Sequence, residues 1–361
     1  MRNPELQPLH GTYLPSDVQF LLNPVQLEMT PVDEKERLIQ SGQKHYSEML
    51  SQEPAPSAAH LEIFNRALEM GSARLARDVV ALAKGLIAQA EGQPVILVSL
   101  VRAGVPPGVM LQRALRDMGV VSHHYGISII RDRGIDETAL SLIEAKHGTD
   151  GIVFVDGWTG KGAITGQLIE SLRDRPGYPA LPRLAVLADP AGCAWLAASD
   201  DDWLIPFGIM GAPVSGMVSR SLWSASGLHG CVLCDHLLAY DCSRRMVDTV
   251  DRFRQSFDTV QIAAAVPYAT HLRNQQAIGQ AVINQLAAQY HILNRNRIKP
   301  GIAEATRAVL RRVPDHVLVR SKTDPDVALL MHLAAQKDIQ VKEMGDTLGQ
   351  YRAVTIIRKV S

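Results

Sequence analysis

Four cysteines in 361 residues, one alone and three together, are too few to staple a fold. Cys193 is isolated, while Cys231, Cys234 and Cys242 crowd into "HGCVLCDHLLAYDC" with His229 and His236. A reducing compartment excludes a disulfide framework. One Cys-x-x-Cys without a second, separated pair is a weak metal signature. Residues this close in sequence rarely supply both a nucleophile and its base. "CVLC" therefore reads as part of a buried strand, where free cysteine behaves as a small hydrophobe; a metal or redox site and a reactive thiol are the alternatives. Long apolar runs are missing as well. The start, "MRNPELQPLHGTYLP", has no apolar core segment, so no signal peptide is expected. The most apolar window, "DVVALAKGLIAQA", is short and broken by Lys84, so no membrane span is expected. Cytoplasm is the expected compartment.

Net charge is the third absence, with 37 Lys and Arg against 37 Asp and Glu. The balance hides an asymmetry. From His291 to Ser361 there are 13 basic residues against 7 acidic, and the first 290 residues carry 24 against 30. A basic C-terminal part points to a polyanionic partner. With 46% hydrophobic and 20% charged residues, the chain has ample apolar material for about two domains of roughly 150 residues each.

What is present is an alternation. Sixty irregular residues with Pro-marked breaks lead into a long helical pattern, Leu61 to Ala90, weakened only at Gly71. "PVILVSL" is an apolar strand, "VRAGVPPG" a Gly/Pro loop, and "VMLQRALRDMG" a helix stopped at Gly119. "VSHHYGISII" reads as a strand, "RDRGID" as a polar loop and "ETALSLIEAK" as a helix. "PRLAVLADPAG" and "DWLIPFG" are further strand candidates. Continuous apolar strands alternating with helices predict a parallel sheet covered on both faces. Such sheets bind ligands at the carboxyl ends of their strands, where these Gly-rich loops fall.

The densest stretch is "GIVFVDGWTGKGAITGQLIESL", Gly151 to Leu172. A nucleoside-triphosphate P-loop needs Gly where Val155 stands and Ser or Thr where Gly162 stands, so that motif is rejected. The remaining reading is a loop whose backbone N–H groups and following helix N-terminus cradle one monophosphate. Thr159 and Thr165 would add hydroxyl donors, and Asp156 would hold ribose hydroxyls or a magnesium ion. The bland alternative is a tight strand-to-helix turn with packing glycines and a surface Lys161.

Three segments together resemble a family. "IVFVDGWTGKGAIT" looks like the phosphoribosyl-diphosphate (PRPP) loop of type I phosphoribosyltransferases, "VSLVRAGVPPG" is similar to their pyrophosphate loop, and "YGISIIRDRGIDETAL" resembles the mobile hood between them. Gly157 stands where that family has its second acid, leaving Asp156 as the single carboxylate. The resemblance implies a Mg2+- and PRPP-dependent transferase. Arg102 with the backbone of Ala103 and Gly104 would stabilise departing pyrophosphate, and Arg131 and Arg133 would close over it. Asp156 would steady ribose or metal. The backbone of Gly157, Gly160 and Gly162, with Thr159, Lys161 and Thr165, would seat the 5′-phosphate.

The tail, "NRIKPGIAEATRAVLRRVPDHVLVRSKTDPDVALLMHLAAQKDIQV", resembles the RNA-binding domain shared by Pelota and kink-turn-binding ribosomal proteins. Gly301 and Glu304 match that pattern, Arg307 replaces its Lys and Ala303 its Asn. Lys299, Gly301, Glu304, Arg307 and Arg311 are the expected RNA contacts, with Arg307 and Arg311 one helical turn apart; the alternative is a solvated helix face. The order of parts, led by "GTYLPSDVQFLL" and "SGQKHYSEML", looks like a bacterial family found with tellurite-resistance stress-response genes, whose members carry the label cysteine protease StiP.

The expected architecture is α/β, a parallel-sheet phosphoribosyltransferase-like domain with a second, smaller α/β Pelota-like domain. Residues 1–60 form an extension packing on the core, 61–245 the first domain, 246–286 a helical connector and 287–361 the RNA-binding domain. The leading function is a PRPP-dependent phosphoribosyltransferase acting on a base-like or RNA-linked acceptor, with structured RNA as a further partner and a homodimer compatible with it. The alternatives are a non-catalytic nucleotide sensor coupled to RNA, and a thiol hydrolase centred on Cys231 or Cys234.

Overall fold

The structure, a computed structural model, describes residues 9–267 and 270–359. In the first part of the chain run β1 (Gln19–Phe20), β2 (Asn23–Pro24), α1 (Val32–Gln40), α2 (Ala58–Ala90), β3 (Val95–Val101), α3 (Val105–Asp117) and β4 (Ser122–Ile130). There follow β5 (Gly134–Ile135), α4 (Glu137–His147), β6 (Ile152–Trp158), α5 (Ala163–Leu172), β7 (Leu184–Ala188), β8 (Leu196–Ser199), β9 (Gly230–Cys231) and α6 (Ser243–Ser256). The remainder holds α7 (Thr270–Gln289), β10 (Ile298–Pro300), α8 (Ile302–Arg311), β11 (Pro314–Val319), α9 (Ala328–Gln336), β12 (Gln340–Glu343) and β13 (Ala353–Ile357).

The alternation builds the expected α/β architecture. The large sheet runs β1-β4-β3-β6-β7-β8 with every pair parallel, and β5 folds back antiparallel on β4. All seven residues of β3 are buried, as a strand covered on both faces requires. Successive side chains take opposite faces: Leu97 joins a core with α2, α3 and α6, while Ile96 and Val98 join Leu140 and Leu168 of α4 and α5. Among the described residues no helix is long and apolar enough to cross a membrane.

Two segments depart from expectation. "DWLIPFG" is not a strand but an irregular run ending in a 3-10 turn at Pro206–Ile209; Pro206 has no N–H to donate to a ladder. In "CVLC" only Cys231 lies on a strand, and Cys234 opens another 3-10 turn. The first of these runs packs against α8 of the second domain.

The smaller sheet runs β10-β13-β11-β12, with only β11 and β12 parallel. Helix α7 covers one face through Val282, Ile283 and Leu286. Helices α8 and α9 cover the other, and that layer merges with the first domain: Ile302, Ala305 and Val309 share one continuous apolar core with Phe207 and Ile209.

The N-terminal residues are tied into this frame by charge as well as by Tyr13, Val18 and Phe20 in the core. Arg113 of α3 donates two hydrogen bonds to Asp17 (2.8 and 2.7 Å) and one each to Asp248 (2.7 Å) and Asp251 (2.8 Å) of α6. Asp17 is buried, so removing its partner strands a carboxylate away from water. Arg113→Met is expected to lower unfolding free energy by about 3–5 kcal/mol, measured by urea denaturation; a loss under ~1 kcal/mol would show that these carboxylates find solvent unaided.

Candidate functional site

Strands β3 and β6 are neighbours and parallel, so the turns leaving their carboxyl ends sit side by side. Both turns open on one cavity of about 810 Å3, whose opposite wall is α8 of the second domain. In the first turn the Val101–Arg102 peptide is cis. The Arg102 guanidinium donates to Glu53 at 2.8 Å and to the Val218 carbonyl at 3.3 Å. Burial opposes ionisation of Glu53, but Arg102, Arg311 and the Ala212 N–H outweigh it and hold its carboxyl down at about 2. Among the described residues the Ala103 N–H has no acceptor, and Ala103 lines the cavity. Gly104 has a different task from the one expected. Its N–H is spent on the Leu100 carbonyl, and a Cβ there would lie 2.0 Å from the Val155 carbonyl oxygen, so it serves close packing of α3 on β6.

The second turn combines a cradle with anchors. Among the described residues the N–H groups of Gly160, Lys161, Gly162, Ala163 and Ile164 find no acceptor, and all five residues face the cavity at the start of the ten-residue helix α5. Gly162 holds the loop with φ 76°, a left-handed conformation that glycine adopts without cost. Thr159 instead anchors the loop: its hydroxyl donates to Asp189 and accepts from the Ala191 N–H at 3.1 Å. Thr165 is buried on the cavity wall. Lys161 is neither a surface lysine nor a free ligand group, because its ammonium donates to the carbonyls of Arg295 (2.6 Å) and Ile298 (2.9 Å). Burial lowers its pKa to about 8.

Asp156 is buried at the cavity floor and accepts the Gly157 N–H at 2.8 Å. Burial raises its pKa to about 7, with Arg307 opposing and Glu304 adding to the rise. Gly157 leaves no room for a second acid, since a Cβ would meet the Phe207 ring at 2.9 Å and the Ala103 carbonyl at 3.1 Å. Among the described residues no group of three or more His, Cys, Asp or Glu converges to hold a metal ion. With Asp156 as the single carboxylate, an Mg2+ ion here would take most of its ligands from substrate phosphates and water.

The hood arginines separate. Arg131 lines the cavity and donates to Asn296 at 3.2 Å. Arg133 points elsewhere, held by Glu48 at 2.5 Å and stacked 4.2 Å from the Trp223 ring centre, so it is withdrawn from the site.

The expected RNA contacts turn inward. Lys299, Glu304, Arg307 and Arg311 all line this cavity rather than an outer face. Lys299 is buried, and burial lowers its pKa to about 7. Arg307 donates to the carbonyls of Gly208 (3.0 Å), Phe207 (3.3 Å) and Met210 (3.3 Å) and stacks 4.7 Å from the Trp158 ring centre. Gly301, with φ 86°, starts α8, and Asp202 of the first domain caps it through the Ile302 N–H at 2.9 Å. Ala303 packs near Gly208. Sequence reasoning missed Glu53, Lys35 and Arg220, which complete the wall; Glu53 and Arg220 sit in irregular segments and Lys35 on the short helix α1, none of them in a motif that marks it.

The cysteines form no catalytic pair. Burial lifts Cys231 to about 12 and Cys234 to about 11. Cys234 lines the cavity, but no histidine nitrogen bonds it, and the His236 ring nitrogen is engaged with the Glu53 carbonyl at 2.9 Å.

These features define an α/β protein with an anion-receptive cavity closed by a second, smaller domain. The family is set by comparison: residues 11–251 match the model described as tellurite-like stress resistance cysteine protease StiP, and residues 277–359 match the PELOTA RNA binding domain. The chain is 48% identical over 368 residues to the protein named cysteine protease StiP from Acinetobacter baylyi, covering 98% of this chain and 95% of that one. It belongs to the StiP family. A solved hypoxanthine phosphoribosyltransferase from Trypanosoma cruzi, complexed with IMP, is similar at 17% identity and TM-score 0.25 over 39% of this chain and 68% of that one, a likeness too slight to carry weight.

The buried Asp156 yields a pH test. Its folded-state pKa of about 7 lies above the ordinary 3.8, so ionising it costs stability, a cost that grows as pH rises from about 4 to about 7. Asp156→Asn keeps an acceptor for the Gly157 N–H and removes the cost. The variant is expected to exceed the parent in unfolding free energy by about 2–4 kcal/mol at pH 8, with no gain near pH 4. Urea titrations across that range that show a constant difference would refute the burial of an ionisable acid.

Proposed function

We propose that the cavity binds phosphoribosyl diphosphate and transfers its phosphoribosyl group to a base-like or RNA-linked acceptor. The single observation that carries this reading is the pair of unsatisfied N–H sets on adjacent strand ends: Gly160 to Ile164 on one turn and Ala103 on the other. A loop of free N–H groups at a helix N-terminus is receptive to a monophosphate. The neighbouring turn, carrying Arg102, would take the diphosphate of the same molecule. The bond from the sugar carbon to the diphosphate oxygen would break through an oxocarbenium-like state, and Asp156 on the cavity floor would steady the ribose. The large volume leaves space for an acceptor beside the sugar. RNA enters this proposal through the family match of residues 277–359.

The test is a thermal-shift titration with PRPP alongside a pyrophosphate-release assay. Stabilisation with release supports a transferase, and stabilisation without release identifies a nucleotide-type sensor. Gly160→Val is expected to abolish the stabilisation while the unliganded chain stays folded, since a Cβ there meets chiefly the movable carboxylate of Glu304 at 3.0 Å. Equal stabilisation of variant and parent would remove the phosphate from this loop.

The second reading is thiol hydrolysis, which the name of the Acinetobacter relative favours. The thiolate is the nucleophile, and Cys193, Cys231 and Cys234 are all held above the usual thiol range by burial. Iodoacetamide at pH 8 is expected to alkylate these three roughly 100-fold more slowly in the folded than in the denatured chain, read by mass spectrometry. One thiol reacting stoichiometrically within minutes would restore the hydrolase reading.

A further inference from the structure

The cavity wall carries more positive charge than its own acids can balance, and the excess has no internal purpose. Arg311 of α8 projects into the cavity beside Arg102, Arg220 and Arg307, with Glu53 as the nearest carboxylate. Arg102 is paired with Glu53, and Arg307 is committed to three carbonyls and Trp158. Arg220 gives its Nη2 to the carbonyls of Tyr46 (2.6 Å) and Met49, while its buried Nη1 has no partner. Among the described residues Arg311 has no hydrogen-bond or ion-pair partner at all. Four guanidiniums drawn from both domains thus gather about Glu53, with Asp156 and Glu304 facing Arg307.

Such a cluster is costly unless an anion sits in it, since like charges repel and burial strips each ion of water. Burial accordingly lowers the pKa of Arg220 and Arg307 to about 10 and that of Arg311 well below its ordinary value. Guanidiniums fit phosphate oxygens in a planar, two-pronged geometry that an ammonium lacks.

We propose that Arg311, together with Arg102, Arg220 and Arg307, forms a two-domain site for the diphosphate group of a small molecule. This rests on the cavity assigned above and gives its second domain a role: α8 is part of the ligand site, and the face that would meet RNA is committed to a small anion. The contacts of Lys161, Arg307 and Asp202 across the domain junction hold α8 with these residues turned to the cavity.

Inorganic pyrophosphate, offered to the full chain, tests this independently of any transferase activity. It is expected to raise the melting temperature of the parent, with an affinity that falls as salt rises. Arg311→Met is expected to leave the unliganded chain as stable as the parent or more so, while weakening pyrophosphate at least about tenfold; Arg311→Lys should fall between. A merely structural arginine would show the reverse, with stability lost and affinity kept. That outcome, failure of Arg311→Met to fold, absence of pyrophosphate binding to the parent, or displacement of pyrophosphate by a short structured RNA would each overturn the proposal. If pyrophosphate binds in this Arg311-dependent way while PRPP gives no turnover, the diphosphate site stands and the transferase reading falls.

Discussion

The docking of α8 onto the carboxyl end of the large sheet is the constraint on which the rest depends. One side chain, Arg307, satisfies three carbonyls in the irregular run after β8 and lies over Trp158 at the end of β6. Asp202 caps the same helix from the other domain, and Tyr351 donates to the Gly160 carbonyl at 2.7 Å. Apart from the stacking on Trp158, each of these contacts ends on a backbone group at the domain junction. Because they cross the domain junction, the strand-end turns of the first domain are roofed rather than open to solvent. The cavity exists only through this docking.

Roofing sets the electrostatics. Water is partly withdrawn, so several ionisable groups on the wall drift toward their neutral form: Asp156 up to about 7, Lys299 down to about 7, Lys161 and Lys35 down to about 8, while Glu53 is held ionised by Arg102 and Arg311. Arginine resists that drift better than lysine, and it is arginine that dominates where the two domains meet.

The same burial argues against thiol chemistry. A nucleophilic cysteine needs a neighbour that favours the thiolate, whether a histidine, a helix N-terminus or a cation. Cys231 lies in the apolar core and Cys193 approaches Gln276 at 3.8 Å, while Cys234 stands beside Arg102 and Arg311 but burial outweighs them. Cys242 does have such neighbours: it occupies the N-cap position of α6, and Arg245 donates to its sulfur at 3.2 Å. Burial thus disfavours a thiolate at three of the four cysteines.

Much of the first domain was legible in the linear chain, because its determinants are local. The apolar run of β3, the glycines after β6 and the Ser57 cap of α2 act within a few residues, and strand-helix alternation implies a parallel sheet with ligand loops at one end. Asp156 and the Gly160–Gly162 turn could be found for that reason. The misplaced segment "DWLIPFG" has strand-like residues, but Pro206 and the second domain's helix claim its carbonyls instead. The basic surplus of the tail was equally plain as composition, yet composition carries no direction. Whether Arg307 and Arg311 face solvent or a cavity depends on which helix face finds an apolar partner, and Ile302, Ala305 and Val309 found theirs in Phe207 and Ile209. Lys35 and Glu53 lie far from Arg220 along the chain and the three carry no spacing signal; only long-range packing brings them to one wall. The sequence by itself determined the sheet, its loops and the supply of charge, all short-range properties, while the tertiary structure alone decided where that charge points, because orientation is set by contacts between residues about a hundred positions apart.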